Sequence, residues 1–442
     1  MTKLKKVTRI LILSTVAASL VVIAAVFWPN SDLTEERTVR VALFQAPASV
    51  SLSVLEEDFE SEFNVNLELE LLPYAELQSK IEQQFLTGTS SYDVVMMDCI
   101  LVPVYASRDM LAEVDPAIWE GAEDLQLQDL LPALDDYLTR YPKGGPRYGM
   151  PFMSNTHMMT YRPSQVLNAA QQLNLDLPGT TVEDAWTWSE YLEVAQYITQ
   201  ARNDNSNEPY GTVLQARSGN SMVYEWYSVL FGFINDLDAR STGLPKFDEG
   251  AEAAMSFYAE LYRVAPPAAL TWAHEEETSA MCQGLTAMDA TSNVELAAEL
   301  LRDECQLSGE LAFAYPPVGK SGVGSPDMGG YGLLLTKQSR NPNLAAQFIL
   351  WAASPSVHQK IVEQGGTPIR FSEIQSPEIL QKFPYLEFYD QLIEDSIYRA
   401  RIPKWTELQD ILSRELAQVV QGEQTSDTAT AKVSNWIDKN IK

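Results

Sequence analysis

Histidine and cysteine are scarce in this chain, with three of each among 442 residues. His157, His274 and His358 are far apart, and no two cysteines form C-x-x-C. A zinc site needs several such ligands at close spacing, so no metal is expected. Basic residues are few: 31 against 60 acidic ones, for a net charge of −29. Lys3, Lys5, Lys6 and Arg9 precede the first acid, Asp32, so the rest of the chain is more acidic still. A surface of that charge repels nucleic acid, which is excluded as a partner. Neither G-x-S-x-G nor H-E-x-x-H is present. Gly319-Lys320-Ser321 imitates a phosphate loop, but that motif requires glycine at 314, where alanine stands, and Pro316-Pro317 break it. With 60 acids a carboxylate pair for glycoside hydrolysis can always be imagined, so it carries no signal. No catalytic residue is assigned.

One long apolar run is present, Ile10 to Trp28, 19 residues behind a basic start. Residues 1–30 are read as a signal peptide or as an N-terminal membrane anchor, with 31–37 as a linker. At about 1.5 Å per helical residue the run nearly spans a bilayer core. No clean A-x-A site follows it, and the first cysteine is Cys99, so the protein is not a lipoprotein. Either reading puts the body of the protein in the periplasm or another space outside the cytoplasmic membrane. Disulfides form there. Cys282 and Cys305 are the expected pair, with free thiols as the alternative.

The remaining composition, 45% hydrophobic and 21% charged, is that of a globular protein long enough for two or three domains. Thr38–Phe44 alternates and predicts a first strand, Val65–Leu72 a second, and Tyr92–Met97 a third ending at Asp98. Helices over Val54–Glu62 and Tyr74–Leu86 lie between them. This β-α-β-α-β order predicts a parallel sheet with crossover helices. Ligands bind such sheets at the carboxyl ends of strands, where Gln45 and Asp98 stand. A cap after the strand is the alternative role for Asp98. Further on, Tyr210–Leu214 predicts a strand, Asn220–Ile234 an aromatic helix, and Asp248–Val264 another helix.

Tyr331–Arg370 is the most organised stretch. Gly329-Gly330 precede a short buried strand, Tyr331–Leu335. Asn341-Pro342 then opens a helix carrying Leu344, Ala345, Phe348, Ile349 and Ala352 at helical spacing. Ser354-Pro355 opens a second helix, which Gly365-Gly366 stops before Thr367-Pro368-Ile369-Arg370.

This order resembles the extracellular solute-binding proteins of ABC importers, the maltose-binding-protein-like, sugar-binding family. Other stretches resemble it in turn: Thr38–Asp98, YGMPFMSNTHMMTYRPS at 148–164, PGTTVEDAWTWSEYLEVAQYI from Pro178, SAMCQGLTAMDA at 279–290, and the helices of 406–421 and 427–441. Met281 or Cys282 stands where the family has Phe, and Tyr161-Arg162 where it has Tyr-Asn.

The resemblance implies an α/β, two-lobed periplasmic-binding-protein fold of type II. Residues 38–152 and 332–370 would form lobe 1, and 153–331 and 371–442 lobe 2. The chain would cross near 151–155, 330–332 and 366–372. It implies a non-enzymatic, monomeric importer component with no cofactor, which binds a mono- or oligosaccharide and docks on permease subunits. A membrane-tethered sensor on the same fold and a secreted glycoside-processing enzyme are the alternatives. The residues expected around the ligand are Gln45, Asp98, Asn155, Tyr224, Trp226, Tyr227, Asp289, Ser292, Tyr331, Arg370 and Trp405. Core packing is the alternative for the aromatic ones. Asp289, Thr291, Ser292 and Asn293 are expected at a helix N-terminus, as cap or as ligand contacts.

Overall fold

Alternation makes Thr38–Phe44 (β1) and Asn66–Leu72 (β2) strands, and continuous apolar character makes Val94–Asp98 (β3) one. The computed structural model describes residues 37–114, 125–204, 207–234 and 236–441. The apolar run of 10–28 lies outside the described residues. Gly149–Asn155 (β4) and His157–Tyr161 (β5) follow, then Met288–Asn293 (β6), Ala312–Ala314 (β7), Asp327–Leu335 (β8) and Ile397–Tyr398 (β9). A larger sheet has the order β2-β1-β3-β8-β4, with β9 beside β8; a smaller one has the order β6-β5-β7.

The parallel pairing expected from the β-α-β-α-β order is present between β1 and β3. β8 enters antiparallel to both β3 and β4. It is not joined to either by a crossover helix, so no rule holds it parallel. All nine β8 residues are buried, and β8 is the seam of the larger sheet.

One expectation is corrected and one is refined. Tyr210–Leu214 is not a strand; only Tyr210 bridges, to Thr286. There the chain lies hard against the Trp188–Asp204 helix: a Cβ on Gly211 would stand 2.0 Å from the Ala195 carbonyl oxygen. The Asp289–Asn293 cluster ends at a helix N-terminus as expected, with Asn293 the N-cap residue of the 3-10 helix Val294–Leu301, but Asn293 makes no side-chain capping bond and the cluster lies on β6.

The three segments expected to cross between lobes meet. Ser154 and Asn155 of β4 pair with Gly330 and Gly329 of β8. The Ser154 hydroxyl donates to the Pro368 carbonyl at 2.6 Å, and the Thr367 hydroxyl donates to the Ser154 carbonyl at 2.6 Å. Cys282 and Cys305 are joined in a disulfide, and Cys99 is free and buried.

Candidate ligand-binding site

The glycines before Tyr331 have separate tasks. Gly330 has φ +120°, a conformation that side chains resist. Gly329 makes room for a ring: a Cβ there would stand 3.0 Å from the Tyr224 hydroxyl. This lets Tyr224, on the Asn220–Phe233 helix, reach the seam of the larger sheet and donate to the Asp327 carbonyl at 3.3 Å.

Around that seam the sheet's strand ends supply one wall. Phe44 ends β1, Asp98 ends β3, and Tyr331 is the β8 partner of Asp98. Phe44 stacks on Tyr331 with centroids 5.5 Å apart. Tyr74, at the start of the Tyr74–Thr87 helix, donates its hydroxyl to Asp98 Oδ2 at 2.7 Å. The opposite wall holds His157, Tyr224 and His274. His157 and Tyr224 lie 4.1 Å apart, and His274 meets both Tyr224 and Tyr74 edge-on at 6.2 Å. Arg399, just after β9, pairs with Asp327 at 2.9 Å, donates to Asn220 Oδ1 at 2.9 Å, and lies 4.4 Å over the Tyr224 ring.

A cavity of about 490 Å³ touches this cluster through Tyr74 and through Asn220, the partner of Arg399. Tyr74, Gln78 and Tyr105 line it from one side, and Arg217, Asn220 and Gln409 from the other. Tyr74 ties it to Asp98, and Asn220 ties it to Arg399. Larger hollows of about 960 and 800 Å³ are edged by exposed groups such as Lys246 and Lys360.

Several buried polar atoms at the cluster have no hydrogen-bond partner: His157 Nε2, His274 Nδ1, Asp327 Oδ1 and both carboxylate oxygens of Glu295. Buried polar groups are normally satisfied, so the cluster is a candidate place for a polar ligand. Burial and nearby Arg399 push His157 well down; burial, Arg217 and Arg399 push His274 down to about 3. Both rings are therefore neutral and can donate or accept. Burial works against the charge of Arg399, but Asp327 and Asp98 more than offset it and hold the guanidinium charged.

A second polar network lies beneath. Asn155 donates to Asn293 Oδ1 at 3.1 Å, and Asn293 donates to Glu277 Oε2 at 3.0 Å. Asp289 accepts from the Thr291 amide at 3.0 Å, and the Thr291 hydroxyl donates to Glu225 at 3.0 Å. The hydroxyl of Tyr258 donates to Glu225 as well. Burial raises the pKa of Glu225, Glu277 and Asp289. Among the described residues no group of three or more His, Cys, Asp or Glu side chains is placed to hold a metal ion.

Of the residues singled out in the sequence, the structure gathers Asp98, Tyr224 and Tyr331 at the cluster. Asn155, Asp289 and Ser292 are buried in the network beneath it. Gln45 is exposed one residue beyond Phe44. Trp226, Tyr227 and Trp405 pack on one another in the core instead, at 5.9 to 6.1 Å. Trp226 lies two residues from Tyr224, about 200° round the helix, so it faces away. The Arg370 guanidinium is spent on the Ala353 and Gln126 carbonyls. Sequence reasoning missed Tyr74, His157, His274, Glu295, Asp327 and Arg399. The histidines had one available signal: two of the three in the chain are here.

The model of the bacterial extracellular solute-binding protein family matches residues 55–384. The chain belongs to that family, whose members act outside the cytoplasm and bind solutes. A probable amino-acid ABC transporter periplasmic-binding protein of Sinorhizobium fredii is 24% identical over 78% of this chain and 74% of its own. An ABC transporter solute-binding protein of Agrobacterium radiobacter K84, solved with ribitol, superposes with TM-score 0.79 at 23% identity, covering 92% of this chain and 100% of that one. The maltose-bound MalE3 of T. maritima gives TM-score 0.79 at 19% identity over 91% and 100%. The fold is theirs: α/β and two-lobed. Among the described residues no helix is long and apolar enough to cross a membrane.

Proposed function

We propose that this protein is the substrate-binding component of an ABC importer and that its solute is a carbohydrate held between two lobes. Residues 38–152 and 332–370 form one lobe, and 153–331 and 371–442 the other. The observation that carries this reading is the cavity walled by Tyr74 and Asn220, whose partners Asp98 and Arg399 belong to the buried cluster of aromatic rings and unpartnered polar atoms. Rings suit the apolar C–H faces of a sugar, and orphaned acceptors and donors suit its hydroxyls. The ribitol and maltose bound by the two solved relatives support the same class. Asp98, Tyr224 and Tyr331 contact the ligand together with Tyr74, His274 and Arg399.

Ligand contacts on both walls favour the closed arrangement over an open one, and the closed form docks on the permease. Binding, not catalysis, is the role of these side chains. The protein works in the periplasm, and residues 10–28, if retained, tether it to the cytoplasmic membrane.

A thermal-shift screen of the full-length protein against mono- and oligosaccharides, polyols and amino acids tests this. A ligand that binds only the folded state raises the melting temperature with its saturation. One carbohydrate class raising it, with the gain lost in Asp98→Ala, is the expected result. Amino acids raising it while carbohydrates do nothing would sink the carbohydrate reading.

A further inference from the structure

The helix that carries Tyr224 has a cavity at each end. Asn220 opens it at the solute cavity, and Phe233 closes it about 20 Å away, at about 1.5 Å per residue. At the Phe233 end lies a hollow of about 290 Å³. Phe233, Ile234 and Val318 give it an apolar wall, and its one charged side chain is Lys320. No acid lines it, in a chain of net charge −29. Gly319-Lys320-Ser321, which fails as a phosphate loop, is brought here by its neighbour Val318. The Trp188 amide donates to the Val318 carbonyl at 3.0 Å, and the Val318 amide donates to the Trp186 carbonyl at 2.8 Å. The loop thus meets the start of the Trp188–Asp204 helix.

That helix end is satisfied by its own residues: the Thr187 amide and hydroxyl donate to Glu190 Oε2 at 2.7 and 2.8 Å. The unmet group is the indole of Trp188. It is 3% exposed, and its Nε1 donor has no partner. Tyr191 and Phe257 hold the ring edge-on at 6.1 and 6.0 Å. Its Nε1 edge faces Gly232, where a Cβ would stand 2.6 Å from Nε1 and 3.8 Å from the Gly319 Cα. Trp188, Gly232 and Gly319 all line the cavity, so the donor stands at its wall. A buried indole N–H normally finds an acceptor. Trp226 Nε1 is unpartnered too, but Trp226 is sealed among core rings, whereas Trp188 has a cavity beside it.

We propose that this cavity is a second binding site, for a small organic carboxylate. Trp188 Nε1 and Lys320 take the carboxylate, and Phe233, Ile234 and Val318 cover the apolar body. The site is separate from the solute cavity and stands whether or not the solute is a carbohydrate. An indole only donates, so the ligand must present an acceptor, and the ammonium of Lys320 favours a charged one. Inorganic phosphate would meet the lysine but leave the apolar wall unused. Asp236, Asp238, Asp248 and Glu249 line the adjoining hollow, which shares Phe233 and Ile234. Their field opposes an anion, so binding in the millimolar range is expected.

The test is nitrogen–proton NMR of the isotopically labelled full-length protein at neutral pH. Its nine tryptophans give one indole N–H signal each, and the signal missing from Trp188→Phe is that of Trp188. Sodium benzoate should move this signal saturably, with benzyl alcohol and sodium phosphate as controls at matched ionic strength. Lys320→Met, at an exposed position, should weaken benzoate about fivefold. A Trp188 signal that benzoate leaves in place overturns the proposal. So does an equal response to benzyl alcohol or to phosphate, since the first makes the charge irrelevant and the second the apolar wall. Should Trp188→Phe fail to fold, calorimetric titration of the unaltered protein and Lys320→Met with benzoate decides: equal affinity, or no binding to either, overturns the site.

Discussion

The Tyr74 hydroxyl donates to Asp98 Oδ2 at 2.7 Å, joining the first residue of a helix to the last residue of a strand. Asp98 also accepts from the Cys99 thiol at 3.3 Å and the Ile100 amide at 3.4 Å, so the tyrosine supplies its shortest bond. Removing that donor leaves the carboxylate mis-set for a ligand. Tyr74→Phe should weaken binding by about 1.5–3 kcal/mol, the range for hydrogen bonds to a charged group. Titration with whichever sugar the screen identifies measures this. Unchanged affinity would remove Tyr74 and Asp98 from the site.

Trp226 should affect stability rather than binding. It is fully buried against Phe247 and Tyr227 and faces away from Tyr224. Trp226→Ala should cost about 3–5 kcal/mol in urea unfolding, the usual cost of emptying an aromatic site. The milder Trp226→Phe should leave ligand affinity within about twofold. A large affinity loss in the Phe variant would put Trp226 back at the ligand.

Arg399 and Asp327 are both fully buried and pair at 2.9 Å. Losing one partner strands the other's charge, so Arg399→Met alone should destabilise by about 3–5 kcal/mol. The double change Arg399→Met with Asp327→Asn should recover much of that loss. A double-mutant cycle in urea reads the coupling, and strictly additive losses would show that the pair does not act as one unit.

Burial raises Glu225 from the ordinary glutamate value of 4.5 to about 8. Between those values the folded state holds a proton that the unfolded state has released. Stability from this group is fully present below about 4.5, and it falls as pH rises toward 8, by up to about 1.4 kcal/mol per pH unit. Glu225→Gln removes the titration. Melting temperatures of both proteins from pH 5 to pH 8 should show the unaltered one losing ground to the variant as pH rises. Parallel curves would mean that Glu225 is ionised throughout.

The Cys282–Cys305 bond closes a loop at sequence separation 23. A loop of that size is worth about 3 kcal/mol through the entropy it removes from the unfolded chain. Replacing both cysteines by alanine should lower the unfolding free energy by that order, and a reductant should do the same to the unaltered protein but not to the variant.

Local patterns announced the elements because they act locally. Alternation in Thr38–Phe44 gave the strand with its bounds, and Asp248 was legible as a helix start; its side chain accepts from the Gly250 amide. Gly329-Gly330 were legible as the boundary of a short strand from Tyr331, but β8 begins before them, at Asp327. Asp98 was legible as a strand-end carboxylate. Tyr210–Leu214 misled because its fate depends on the Trp188–Asp204 helix pressed against it, which no local pattern records.

The sequence by itself determined most secondary elements and the excess of acid, since these follow from short-range pattern and composition, and its resemblance to solute-binding proteins pointed to the family. Only the tertiary structure decided which side chains meet. Arg399 reaches Asp327 from far along the chain, and His274 meets Tyr74 edge-on. Trp226 and Trp405 look like ligand platforms in sequence, yet helix rotation turns Trp226 into the core with Trp405 packed nearby. A side chain's role is set by the direction it faces once helices and sheets have packed, and that direction belongs to the fold as a whole.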